Sequence, residues 1–211
     1  MKILYKLLNE VHAKATDFGK EIIPDSIAHY KVLSYQYDGY WTDIGNIYSF
    51  FEANIALTEA IPPFNLFDSA QTIYTRPRML PPAKISGTMI TKAIVAEGSI
   101  IHAASITKSV IGIRSRIGKD TVINNAYIMG CDYYETIEQI NAKNASGQPI
   151  IGIGERCIIE DAIVDKNCSI GNDVIIKGGA HLEKVDHPLY TIKDNIVVIK
   201  KGAVIPNGFV I

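Results

Sequence analysis

The chain has 211 residues, 47% hydrophobic and 20% charged, with 16 Gly and 9 Pro, long enough to bury a core without disulfides and too apolar for a disordered or collagen-like chain. Twenty-one Lys and Arg against 22 Asp and Glu leave a formal charge of -1, without the basic excess that nucleic-acid backbones reward, so no nucleic-acid partner is expected. Cys131, Cys157 and Cys168 lack CxxC spacing, which fits a reducing compartment better than a disulfide framework or a zinc site.

The N-terminal stretch from Met1 to Ala15 sets Ile3, Leu4, Leu7, Leu8 and Val11 at helical spacing, interrupted by Lys2, Lys6, Asn9 and Glu10. It reads as an amphipathic helix that neither spans a bilayer nor serves as a signal peptide; no membrane partner and a cytoplasmic location are expected. An extended run from Val32 to Tyr37 and an Asp38-Gly39 turn follow. A helix from Asn46 to about Glu59 comes next, capped by Asn46 and carrying Ile47, Phe50, Phe51 and Ile55 on one stripe. Residues 1–62 are thus mixed α/β material. Pro62-Pro63, Pro77 and Pro81-Pro82 prevent long regular elements, and 63–82 reads as a linker packed along a surface.

From about Ala83 a six-residue beat takes over. Ile111, Ile117, Ile123 and Met129 are each six apart, as are Ile158, Val164, Ile170 and Ile176, and Val95 and Ile101 keep the interval. No helix has that period. Gly follows the apolar residue at Gly112, Gly118 and Gly171, offering a corner that tolerates unusual backbone angles. One hexad cannot hide its aliphatic side chain alone, but stacked hexads pair as short parallel strands around an enclosed ladder. The expected fold is mainly β, a left-handed parallel β-helix of hexapeptide repeats over 83–211 behind a small α/β segment. Residues 130–150 break the beat and read as an excursion from one coil, a functional insertion or a disordered loop.

Asp43, in Gly39-Tyr40-Trp41-Thr42-Asp43-Ile44-Gly45-Asn46, stands where an extended segment meets a helix start. A carboxylate there suits a Mg²⁺ ligand beside phosphate-binding amides; a simple turn Asp explains the spacing equally well. His102 and His181 lie in repeat-like context and invite comparison with the general base of hexapeptide acyltransferases, although a surface imidazole accounts for each as well.

Several long motifs then carry a resemblance. Asp17-Phe18-Gly19-Lys20-Glu21-Ile22-Ile23-Pro24, the Asp38–Gly45 segment, Phe50–Asn54, Tyr74–Pro82, Met129–Glu135, Ile151–Gly154 and Ile205–Ile211 resemble, in order, the ADP-glucose pyrophosphorylase (glucose-1-phosphate adenylyltransferase) family. The resemblance implies 1–62 as the end of the α/β nucleotidyltransferase catalytic domain. It also implies a reaction of ATP with glucose 1-phosphate giving ADP-glucose and pyrophosphate, for glycogen or starch synthesis. Mg²⁺ would be held by two carboxylates, of which Asp43 matches the later, and the intact enzyme would be a homotetramer. Arg76 and Arg78 match an anion-binding stretch and Lys201 an activator-associated lysine, so phosphorylated effectors are implied as partners. The family's Gly-rich nucleotide loop, first metal Asp and sugar-phosphate Glu-Lys pair have no counterpart in the sequence. The expectation is therefore a C-terminal portion, inactive alone. The rivals are another sugar-phosphate nucleotidyltransferase, a hexapeptide acyltransferase and a noncatalytic assembly module.

Overall fold

The computed structural model describes residues 2–211, and the chain divides into two compact units, 1–39 and 40–211. In the first, helix α1 (Lys2–Lys6) runs into a π-helical turn at Leu7–Val11, and a second π-helical turn at Phe18–Ile22 leads into α2 (Ile23–His29). Asp17 caps this second segment by accepting from the Lys20 amide, while Glu21 Oε1 accepts from the amides of Thr16 and Asp17, the reciprocal arrangement that satisfies orphan donors at a helix start. These bonds hold the Glu21 carboxyl below its ordinary range. The predicted amphipathic helix is shorter than its apolar spacing implies: Leu7 is buried, but Ile3, Leu4, Leu8 and Val11 are exposed. Val32–Tyr37 forms no strand, because an extended run becomes one only when another strand takes up its backbone groups.

In the second unit, α3 (Ile47–Ala56) begins at Asn46, whose side chain accepts from the Ser49 amide at 2.8 Å. The predicted stripe is the packing face. Phe51 and Ile55 are buried with Ile163 and Ile196, and Ile47, Phe50, Tyr127, Met129 and Val198 pack around them. By sequence this helix is grouped with residues 1–62 rather than with the β-helix. Instead α3 docks on the prism, and the division of the chain falls between Gly39 and Tyr40, because Phe51 and Ile55 find an apolar wall there.

The prism is built coil by coil. The first coil contributes β1 (Lys84–Ile85) and β2 (Met89–Val95), the second β3 (Ile100–Ile101) and β4 (Ser105–Ile111), and the third β5 (Arg116–Ile117) and β6 (Val122–Ile128). After an excursion carrying α4 (Ile137–Ser146), the fourth supplies β7 (Gly152–Ile153) and β8 (Ile158–Val164). The fifth supplies β9 (Ser169–Ile170) and β10 (Ile175–Lys177). A second excursion then forms β11 (Val185–Asp186) and β12 (Tyr190–Lys193), and the chain returns through β13 (Ile196–Ile199) and β14 (Val204–Ile205). The short strands stack in parallel as β1-β3-β5-β7-β9-β14, and the long strands stack as β2-β4-β6-β8 around one corner, with β10 and β13 continuing its two sides. Ile101, Ile106, Ile111, Ile117, Ile123, Ile159, Ile170, Ile176, Ile199 and Ile205 are essentially without solvent exposure and form the internal ladders.

Two details of the hexad reading are corrected. The inward residues are Ile128 and Ile159, whereas Met129 and Ile158 are only half-buried. Ile106 registers with Ile123 and Ile111 with Ile128, a coil of seventeen residues in steps of six, six and five, whereas the coils before it advance by sixteen, Ile90 registering with Ile106 and Ile101 with Ile117. The five-residue step crosses a corner where Lys92, Lys108, Asn125 and Asp161 adopt positive φ between 46° and 49°, letting one residue turn the chain. The other correction concerns the glycines. Gly112, Gly118 and Gly171 do not hold the left-handed angles; Arg114, Asp120 and Asp173, two residues later, do. Glycine is required by proximity: a Cβ on Gly118 would lie 2.4 Å from the Gly154 carbonyl oxygen, and one on Gly154 equally close to that of Gly171.

The first excursion is ordered by its own caps. Thr136 and Gln139 form a reciprocal capping box, and Gly147 ends α4 at φ 70°, as the C′ position of a helix favours. Removing the Thr136 hydroxyl with Thr136→Ala is expected to cost about 1 kcal/mol of local stability. Exchange of the α4 amides should then quicken roughly fivefold while the prism amides are unchanged; equal protection in both proteins would show that the cap contributes nothing.

Candidate functional site

Asp43 lies in an exposed segment just before α3 and accepts from the Gly45 amide at 2.9 Å. A divalent cation needs several oxygen ligands. Among the described residues no group of three or more His, Cys, Asp or Glu converges, and Mg²⁺ is usually held by one or two carboxylates together with substrate phosphates and waters. Asp43 offers one carboxylate to a set that would need others.

Arg76, Arg78 and Lys201 are exposed, and Lys201 lies at the end of a corner column of the prism. Its rungs are marked by the hydrogen bonds Gly98 N to Pro81 O, Arg114 N to Glu97 O, Cys131 N to Ile113 O, Asn167 N to Gly130 O and Gly202 N to Lys166 O. Lys201 adjoins the last rung, and Arg76 and Arg78 precede the first by five and three residues of extended chain. At the usual strand spacing of about 4.8 Å per rung the column is about 24 Å long.

Lys201 has company that motif reading did not assign. Asp132, at the root of the first excursion, accepts from Lys166 Nζ at 2.8 Å and from Asn167 Nδ2 at 3.1 Å, and its own amide donates to Asn167 Oδ1. The Lys166 ammonium and the Asn167 carboxamide hold the Asp132 carboxyl below the usual carboxylate range, with a smaller contribution from the charge of Lys201. Two rungs along, Arg114 lies over the Tyr134 ring, whose hydroxyl donates to Gly98 O at 2.8 Å. Asp132, Tyr134 and Arg114 thus clamp the excursion to the column. Spacing could not reveal this, because the partners are 34–36 positions apart.

His102 and His181 are exposed, and neither is ion-paired with an acid among the described residues. Cys131, Cys157 and Cys168 are free and buried; burial raises each thiol, that of Cys168 to about 12, which suits packing rather than nucleophilic chemistry. No helix among the described residues is long and apolar enough to cross a membrane.

A prism of stacked hexad coils, preceded by short helices, defines a class of fold, the hexapeptide β-helix. Residues 1–60 match the nucleotidyl transferase family, and residues 78–210 match the family described as the GLGC left-handed parallel beta-helix domain. The chain belongs to that GLGC β-helix family, and the order of its two matched stretches is that of the C-terminal portion of an ADP-glucose pyrophosphorylase-like protein.

Proposed function

We propose that this chain forms part of a glucose-1-phosphate adenylyltransferase, which joins ATP and glucose 1-phosphate into ADP-glucose with release of pyrophosphate in glycogen or starch synthesis. Its share of the work is regulation and assembly of a homotetramer through the β-helix. The observation that carries this reading is the succession of a nucleotidyl transferase segment and a GLGC-type β-helix in one chain. Arg76 and Arg78, before the first coil, and Lys201, near the last, act as anion-binding elements, since guanidinium and ammonium groups both grip phosphate oxygens. Asp43 is one of the two carboxylates for Mg²⁺. The other carboxylate has no counterpart among the motifs that resemble the family, and on this reading the chain by itself is inactive.

The test has two arms. The purified chain, given ATP, glucose 1-phosphate and Mg²⁺, should release no pyrophosphate; turnover would overturn the claim of inactivity. Joined to the reading frame upstream of its first codon, it should use ATP with glucose 1-phosphate at least tenfold better than GTP with mannose 1-phosphate. The opposite preference would replace the adenylyl reading with that of another sugar-phosphate nucleotidyltransferase.

A further inference from the structure

The corner that follows β5, β7, β9 and β14 is built the same way in each coil. Lys119–Asp120, Glu155–Arg156, Asn172–Asp173 and Asn207–Gly208 stack there: Arg156 N donates to Lys119 O, Asp173 N to Glu155 O and Gly208 N to Asn172 O, all at 2.8–2.9 Å. The second residue of each pair holds a left-handed φ of 55° to 69°. Asparagine side chains add a further tie between coils. Asn172 Oδ1 accepts from the Glu155 amide and Asn207 Oδ1 from the Asn172 amide, both at 2.8 Å.

An asparagine that reaches the neighbouring coil and a left-handed residue after it together produce, at the last corner, the chain's one Asn-Gly sequence. A Cβ on Gly208 would meet nothing within 4 Å, so glycine stands there for its φ alone. Its main-chain nitrogen is the least hindered neighbour an asparagine side chain can have. Asn207 and Gly208 are exposed to water, and the carboxamide of one and the amide of the other are both engaged by the Asn172 backbone. That engagement is only as firm as the last coil. β14 pairs with β9 and ends the short-strand sheet among the described residues. The closing residues are held on β10 by Ile175 N to Phe209 O, Ile211 N to Ile175 O and Lys177 N to Ile211 O. A terminal unit of a stack has one neighbour and opens more readily than an inner one.

We infer that Asn207 is a site of covalent self-modification, held back by the bonds between the coils and released when the last coil opens. The Gly208 nitrogen attacks Asn207 Cγ, the Cγ–Nδ2 bond breaks, and ammonia leaves with the amide proton, closing a cyclic imide. Water then opens the ring, at Cγ to give aspartate or at the Asn207 main-chain carbonyl to give isoaspartate. Isoaspartate routes the main chain through an additional methylene, which puts 209–211 out of register with Ile175–Lys177, and the coil no longer closes. The site is independent of Arg76, Arg78 and Lys201 and of the reaction the full enzyme catalyses.

Ageing of the full chain at neutral pH, with and without urea, tests this by peptide mass mapping and by methyl labelling of isoaspartate with an isoaspartyl methyltransferase. Conversion at Asn207 is expected in both samples, roughly tenfold or more slower in the folded chain, because it waits on local opening. Phe209→Ala, which removes the ring that meets Tyr190 edge-on at 6.1 Å, should quicken conversion at least about threefold in the folded chain and leave the rate in urea unchanged. In the isoaspartyl product the amides of Ile175 and Lys177 should lose protection from hydrogen exchange while that of Ile106 keeps it. Absence of conversion at Asn207 in urea would overturn the site. A folded rate equal to or above the rate in urea, in the unsubstituted chain, would overturn the restraint by the coils without reliance on any variant. Unchanged protection of Ile175 and Lys177 in the isoaspartyl product would overturn its effect on the last coil.

Discussion

Replacement of Phe51 by Ala is expected to release α3 from the prism while the coils stay folded. Phe51 and Ile55 are buried in a cluster of their own with Ile163 and Ile196, separate from the internal ladders, and Phe50 meets the Tyr127 ring at 5.6 Å. Truncating a buried Phe removes about 3–5 kcal/mol. A helix of ten residues is marginal in water without packing, so that loss takes most of what holds it. Only the exposed Lys92–Glu59 pair, at 2.9 Å, ties the end of the segment down, and a surface pair contributes little. Hydrogen exchange should show the α3 amides losing protection while the rungs around Ile106 and Ile123 keep theirs. If α3 exchanges as slowly in Phe51→Ala as in the unaltered chain, the docking face is elsewhere.

The other large effect concerns the ladder. Ile159→Ala should destabilise the prism by about 2–5 kcal/mol, because Ile159 is fully buried and stands in register between Ile123 and Ile176. Both neighbours lose contacts, and in a stacked architecture stability resides in such interfaces between adjacent units. Each kcal/mol corresponds to about 2–4 °C of melting temperature at this chain length. Ile158→Ala is the informative companion: its side chain is half-buried and lies outside the ladder, so its loss should cost well under half as much. Urea unfolding of the two variants separates the registers, and a larger loss for Ile158→Ala would show that the strict six-residue beat describes the interior after all.

That comparison also marks how far periodicity reads. Ile111, Ile117 and Ile123 keep the interval of six and are buried as the beat predicts, since sides that lack a tight corner preserve the count. The beat slips one residue at Met129 and Ile158, where a corner is turned within a single left-handed residue, Asn125 in one coil and Asp161 in a later one. No composition signal separates that Asn or Asp from its neighbours. The second excursion, with β11 and β12, escapes notice for a similar reason: Ile192, Ile196 and Ile199 are apolar and buried, so the segment does not look like an interruption.

Of the candidate site, the sequence offered residues but no arrangement. Asp43, Arg76, Arg78 and Lys201 are legible as motif positions, yet whether they converge depends on how many coils lie between them.

The amino-acid order alone determined the class of fold: apolar residues near every sixth position, with glycine beside them, can be hidden together only by stacking coils. It also determined where α3 begins and which of its faces is apolar, through the Asn46 cap and helical spacing. Tertiary structure decided what that face packs against, which of two adjacent aliphatic residues turns inward, and which charges are paired. Those outcomes depend on contacts between residues from sixteen to more than a hundred positions apart, and local spacing carries no information about partners that only coiling brings together.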